Sequence, residues 1–183
     1  MIPIFPKREF LLLGKAYGEL GRILGHPDEL FYAVEDQVSL WSPAQEIHHI
    51  AIVNREFFGK IEVLYRDREE EDIVRRGLPS VPAMIGLTLG TIPRGKVQAP
   101  ARFEPPPEVM REEAAALFAE SKREMASLAQ RAGGLNELTG RIDMGPLGKL
   151  KALQILKLAR VHTQFHLGVT KEIVRAREAR QRR

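Results

Sequence analysis

The segment Val161-His-Thr-Gln-Phe-His-Leu167 carries two histidines four residues apart. On a helix, residues at i and i+4 stand one above the other on the same face. Both imidazoles could therefore reach one ion from one side. The pair also belongs to a seam: Ile155, Ala159, His162, His166, Val169 and Ile173 are spaced 4, 3, 4, 3, 4, as apolar positions are where helices pack together. Two places that a core fills with aliphatic side chains hold histidine instead. One reading is structural, with each ring neutral, buried and hydrogen-bonded. The other is a metal site, because His-x3-His is a ligand spacing in helices and imidazole nitrogen suits zinc, nickel, copper or iron. Thr163 follows His162, so the glutamate of the His-Glu-x-x-His protease motif is missing.

Two ligands do not close a site, and the doublet His48-His49 offers a third. Periodicity does not choose between them. They flank, on opposite sides, the apolar stripe of Ile47, Ile50, Phe57 and Ile61. Glu46, one turn before His49, and whichever histidine is not a ligand are candidates for supporting the metal ligands, although a surface charge is the commoner role for such a glutamate. The chain has no cysteine. Disulfides, thiolate metal sites and a cysteine nucleophile are thereby excluded; a metal must use His, Asp or Glu, and any thiol must arrive with a substrate.

Four amphipathic segments must position these residues. The first runs from about Lys7 to Leu24, with Phe10, Leu13, Tyr17, Leu20 and Leu24 on one face, and Gly25 and Pro27 end it. The second starts at a Ser42-Pro-Ala-Gln45 capping box and continues through Leu64. The third follows Pro105-Pro-Pro107 from Glu108 to about Arg131, with Glu112 and Glu113 near the positive end of its dipole. The fourth spans about Leu147 to Ala179. A connection over 66–106 separates the second from the third, longer than a compact domain normally carries without a role; Val81–Leu89 could form a short helix within it. No alternation long enough for a sheet is present. The expectation is an all-α four-helix bundle with a long crossover between helices two and three. At 183 residues it is a single domain, 1–183, ending in a basic tail at about 175–183, since a domain takes roughly 150 residues.

With the elements laid out, Trp41-Ser-Pro-Ala-Gln-Glu-Ile-His-His-Ile50 resembles the signature of the DinB-like superfamily, which includes YfiT-type metal hydrolases and bacillithiol and mycothiol transferases. In that family a tryptophan precedes a capped helix whose metal histidine lies eight residues on, which matches His49. The late pair of ligands at i and i+4 matches His162 and His166. Gly145-Pro-Leu-Gly-Lys-Leu150 is similar to the small-residue turn that opens the family's last helix. The resemblance implies a four-helix bundle, one divalent metal (zinc or nickel foremost) held by His49, His162 and His166 with a water, and a homodimer. Phe165 stands where some relatives carry a further histidine, and the 66–106 connection has no counterpart that we place.

The implied function is that of a metal-dependent hydrolase or a bacillithiol- or mycothiol-type S-transferase acting on a small molecule, with a low-molecular-weight thiol as one candidate substrate. No catalytic residue is assigned. A non-enzymatic bundle that binds a ligand or protein partner is the alternative. Nucleic acid is disfavoured as a partner: the formal charge of +4 comes largely from Arg175, Arg177, Arg180, Arg182 and Arg183, with few aromatics beside them for stacking. Gly90-Thr-Ile-Pro-Arg-Gly-Lys-Val97 resembles a phosphate-binding loop but ends on Val97, which has no hydroxyl for magnesium. The acidic run Glu69–Asp72 reads as a solvated stretch. No run approaches the ~20 apolar residues of a membrane span, and the N-terminus does not read as a secretory signal, so a cytoplasmic protein is expected.

Overall fold

The computed structural model describes residues 4–66, 77–92 and 99–182. Six α-helices follow in order: α1 (Pro6–Leu24), α2 (Asp28–Phe31), α3 (Pro43–Arg66), α4 (Val81–Leu89), α5 (Arg111–Gln130) and α6 (Ala152–Gln181). The four long ones, α1, α3, α5 and α6, form the bundle. α3 packs on both α5 and α6, and α1 closes the ring against the same two helices. Their shared core contains Leu13, Tyr17 and Leu20 of α1, Ile47, Ile50 and Ile61 of α3, Leu128 of α5, and Ile155 and Ala159 of α6. The spacing of these residues at threes and fours is what turns one face of each helix inward.

The helix boundaries follow local chemistry. At the start of α3, the Ser42 amide donates to Gln45 Oε1 at 3.0 Å and the Gln45 amide to Ser42 Oγ at 3.4 Å, the expected reciprocal cap. Gln45 also donates from Nε2 to the carbonyls of Pro106 and Pro107, at 3.0 and 3.1 Å. This ties the far end of the crossover to the beginning of α3. α5 begins at Arg111, three residues later than its acidic stretch suggests, because the chain up to Val109 is still laid against α3 with Val109 in the core.

α6 also starts later than its periodicity suggests. Residues 142–150 form a small hairpin, in which Ile142–Asp143 pairs antiparallel with Lys149–Leu150. No strand was foreseen here, since two-residue strands are too short to show alternation. Gly148 permits the arrangement: its φ is +76°, and a Cβ there would lie 2.7 Å from the Leu78 carbonyl oxygen and the Ser80 nitrogen. The Ser80 amide donates to the Leu147 carbonyl at 2.9 Å and that of Lys149 to the Leu78 carbonyl at 3.1 Å. These bonds fasten the hairpin to the entry of α4, which is capped by Ser80 and ends on the left-handed Gly90.

Residues 175–181 complete α6, and Arg180 Nη2 lies 2.8 Å from the buried carboxylate of Glu35. The run Glu69–Asp72, and most of the segment resembling a phosphate-binding loop, lie outside the described residues. Among the described residues, no helix is long and apolar enough to cross a membrane.

Candidate metal centre

The seam of α6 is buried as its spacing predicts, with Ile155, Ala159 and Ile173 at 0% exposure. His162 and His166 interrupt it, facing α3. There they meet His49, so that one ligand atom from each of the three lies within 4.8 Å of the others. The Nε2 atoms of His49 and His162 are 3.0 Å apart. Two nitrogens on one tetrahedral zinc sit about 3.3 Å apart at the usual bond length, so little movement separates this arrangement from a shared ion. Among the described residues, this is the group of His, Cys, Asp or Glu side chains whose geometry could hold a metal.

Hydrogen bonds fix which nitrogen each ring offers. His49 Nδ1 lies 2.7 Å from the Phe103 carbonyl oxygen, which only accepts, so Nδ1 carries the proton and Nε2 is bare. His166 Nδ1 lies 2.6 Å from Glu46 Oε2, and the same reasoning leaves its Nε2 bare. A carbonyl or carboxylate behind a histidine is the usual means of setting ring orientation and basicity in metal sites. In the metal-free chain His162 must then donate its Nε2 proton to His49. To hold a metal through Nε2, His162 would carry its proton on Nδ1 instead, which has no partner here, and the donor set of three imidazoles fits a borderline divalent ion.

His49 and His162 are held neutral. Burial, and then the nearness of His166, lowers the pKa of His49 to about 4. His162 lies well below its ordinary value, chiefly through burial and further through His166 and His49. Around them stand aromatic walls: Trp41 is 4.9 Å from His49 and stacked 6.3 Å from His166, while Phe165 meets His166 edge-on at 5.0 Å. Such walls limit water and favour apolar or flat groups beside the imidazoles.

Not every candidate is brought here. His48 faces the other way, toward α5, with Nε2 3.6 Å from Glu113 Oε1. No hydrogen bond joins it to the three rings, and it acts on them only through its charge beside His49. Burial lowers its pKa, an effect that Glu113 opposes. Glu46 is no surface charge, being 1% exposed, and the ring it serves is His166 rather than its neighbour on α3, His49. Sequence reasoning missed Phe103 and Ser39. Phe103 contributes a backbone carbonyl, which no residue type announces. Ser39 donates to Glu46 Oε1 at 2.9 Å, from a loop whose course could not be foreseen.

No curated protein and no solved structure matches this chain. A family model does: that of the DinB superfamily aligns with residues 20–170, a stretch that contains Trp41, the three converging histidines, all of α3 and α5, the last turn of α1 and α6 as far as residue 170. The chain belongs to the DinB superfamily.

Proposed function

We propose that the protein is a metal-dependent enzyme acting on a small molecule, with a divalent ion held by His49, His162 and His166. The observation that carries this reading is the pair of anchored rings. His49 and His166 each have Nδ1 committed to an acceptor, at 2.7 and 2.6 Å, and so turn an unprotonated Nε2 toward the same point. Core histidines kept only for packing have no need of that convergence. Zinc and nickel are the ions we favour, and three neutral imidazoles leave the ion's charge intact. When bound, such an ion supplies Lewis acidity, which lowers the pKa of a bound water toward ~7 or holds a thiol as its thiolate.

The chain's own residues then do three things. Phe103 and Glu46 fix the rings, burial keeps His49 and His162 from taking up a second proton, and Trp41 and Phe165 shield them. Hydrolysis and transfer of a small thiol are both open to such a centre, and the absence of cysteine means that a thiol would come as substrate. An ion that binds only the folded chain must raise its melting temperature, by about 2.7 kcal/mol of stability at a hundredfold excess over the dissociation constant. The expected result is a melting temperature that falls on chelation and recovers when zinc or nickel is restored. A melting temperature indifferent to chelator and to added ion would favour the non-enzymatic bundle, in which the histidines are core polar groups.

A further inference from the structure

Residues 32–42 join α2 to α3, and they are anchored more firmly than a connection requires. The amides of Val38 and Ser39 both donate to the Glu35 carbonyl, at 2.7 and 2.9 Å, and Glu35 and Ser39 form an antiparallel bridge. The Glu35 side chain is 2% exposed as a residue and pairs with Arg180. A buried carboxylate is costly unless it is so paired. Ala33 and Val38 pack with Phe165, Val169 and Ile173 in a small apolar cluster apart from the main core. A turn, an ion pair and a separate patch of core therefore hold one short loop against α6.

What this anchoring delivers is the Ser39 hydroxyl. It accepts the Trp41 amide at 3.1 Å and donates to Glu46 Oε1 at 2.9 Å. The other Glu46 oxygen lies 2.6 Å from His166 Nδ1. Ser39 accepts on one side and donates on the other, while Glu46 accepts through both oxygens, from Ser39 and from His166 Nδ1. A glutamate held through one oxygen can rotate about its terminal torsion and swing on the two before it. A second, charge-assisted bond from a fixed hydroxyl removes that freedom.

We infer that Ser39 is a positioning residue for the metal centre: by holding Glu46 through Oε1 it keeps Oε2 behind His166 and the ring's Nε2 toward the ion. The inference rests on the three-histidine reading given above. It differs from a packing role in what it moves. A hydroxyl that only stabilised the loop would change melting and leave metal affinity alone, whereas a positioning hydroxyl changes affinity and ligand geometry in the folded protein.

The test uses the full chain as wild type, Ser39→Ala and Ser39→Thr. Zinc dissociation constants are measured by chelator competition, and visible spectra are recorded for the cobalt(II)-loaded proteins, all well below the melting temperature of each metal-free variant. Removing a partner bonded directly to a ligand costs 10–100-fold in affinity; one step further out, Ser39→Ala should weaken zinc by roughly five- to tenfold and alter the cobalt spectrum, with Ser39→Thr restoring both. A Ser39→Ala protein with wild-type affinity and spectrum overturns the inference, as does a Ser39→Thr protein no better than Ser39→Ala. If the wild type binds neither ion, the three-histidine reading fails and takes this inference with it. A wild type that binds beside an indifferent Ser39→Ala removes this inference alone.

Discussion

Two polar clusters lie side by side on α6, one residue apart in sequence, and they are put together in opposite ways. Thr163 belongs to the first. Its hydroxyl donates to the Ala159 carbonyl at 2.8 Å and accepts from Asn54 Nδ2 at 2.8 Å. Asn54 donates also to Tyr17 at 2.9 Å, and Tyr17 shares a 2.6 Å bond with Ser121. One side chain comes from each bundle helix, and each is bonded to another protein group. His162 belongs to the second cluster. There the outer nitrogens of His49 and His166 are tied down while the inner ones converge. The first cluster spends its hydroxyls and the Asn54 amide nitrogen on joining four helices, leaving only Asn54 Oδ1 without a partner. The second withholds nitrogen lone pairs from the protein and aims them at one place. Burial is common to both, so burial of polar groups does not by itself mark a site. Convergence of unsatisfied ligand atoms does.

The comparison can be broken with pH. The pKa of His49 falls from 6.5 to about 4 on folding, so below pH 6.5 the unfolded chain takes up a proton that the folded chain refuses. Stability of the metal-free protein should then drop as pH falls below about 6.5; the His49 contribution, a loss of about 3 kcal/mol, is complete near pH 4, and His162 acts in the same direction. Tyr17 in the other cluster has its pKa raised from 10.0 to about 12, first by burial. Its contribution is intact below pH 10 and is lost as pH rises toward 12. Denaturant titrations across this range should show an acid limb from the histidines and an alkaline limb that Tyr17→Phe removes. A profile flat between pH 4 and 6.5 would mean that the histidines are not buried as neutral rings.

A smaller effect sharpens the same contrast. Asn54→Ala leaves the buried hydroxyls of Tyr17 and Thr163 without their donor and should cost roughly 1–3 kcal/mol of stability. The dissociation constant for zinc should stay within about twofold of wild type, because the hydrogen bonds of Asn54 go to Tyr17 and Thr163 and not to the three rings, and positions without a shared partner act nearly independently. Loss of metal affinity comparable to the loss of stability would show the two clusters to be one unit.

How far the sequence disclosed this arrangement differs from residue to residue. His162 and His166 were legible because a seam repeating at threes and fours makes a wrong residue type conspicuous. The choice between His49 and His48 was not, and the reason lies in the packing. α3 is covered on two sides, by α6 and by α5, so both histidines are buried, at 3% and 7% exposure. Each faces a different neighbour, and an apolar stripe on one helix cannot say which neighbour carries the other ligands. Only the resemblance in Trp41–Ile50 pointed to His49. Glu46 read as a surface charge because glutamates mostly are; its burial follows from His166, 120 residues away in the chain. The four long helices followed from periodicity, whereas the late starts of α5 and α6 reflect the burial of Val109 in the core and the approach of Gly148 to the backbone of Leu78 and Ser80.

The central claim is that His49, His162 and His166 together hold one divalent ion, and metal analysis of the purified protein tests it most directly. Prepared without chelators, the wild type is expected to carry about one zinc or nickel per chain, and the His162→Ala, His166→Ala double variant none, since a single imidazole retains little affinity. A folded wild type without metal that takes up neither ion on addition, or a double variant as fully loaded as the wild type, would contradict the account.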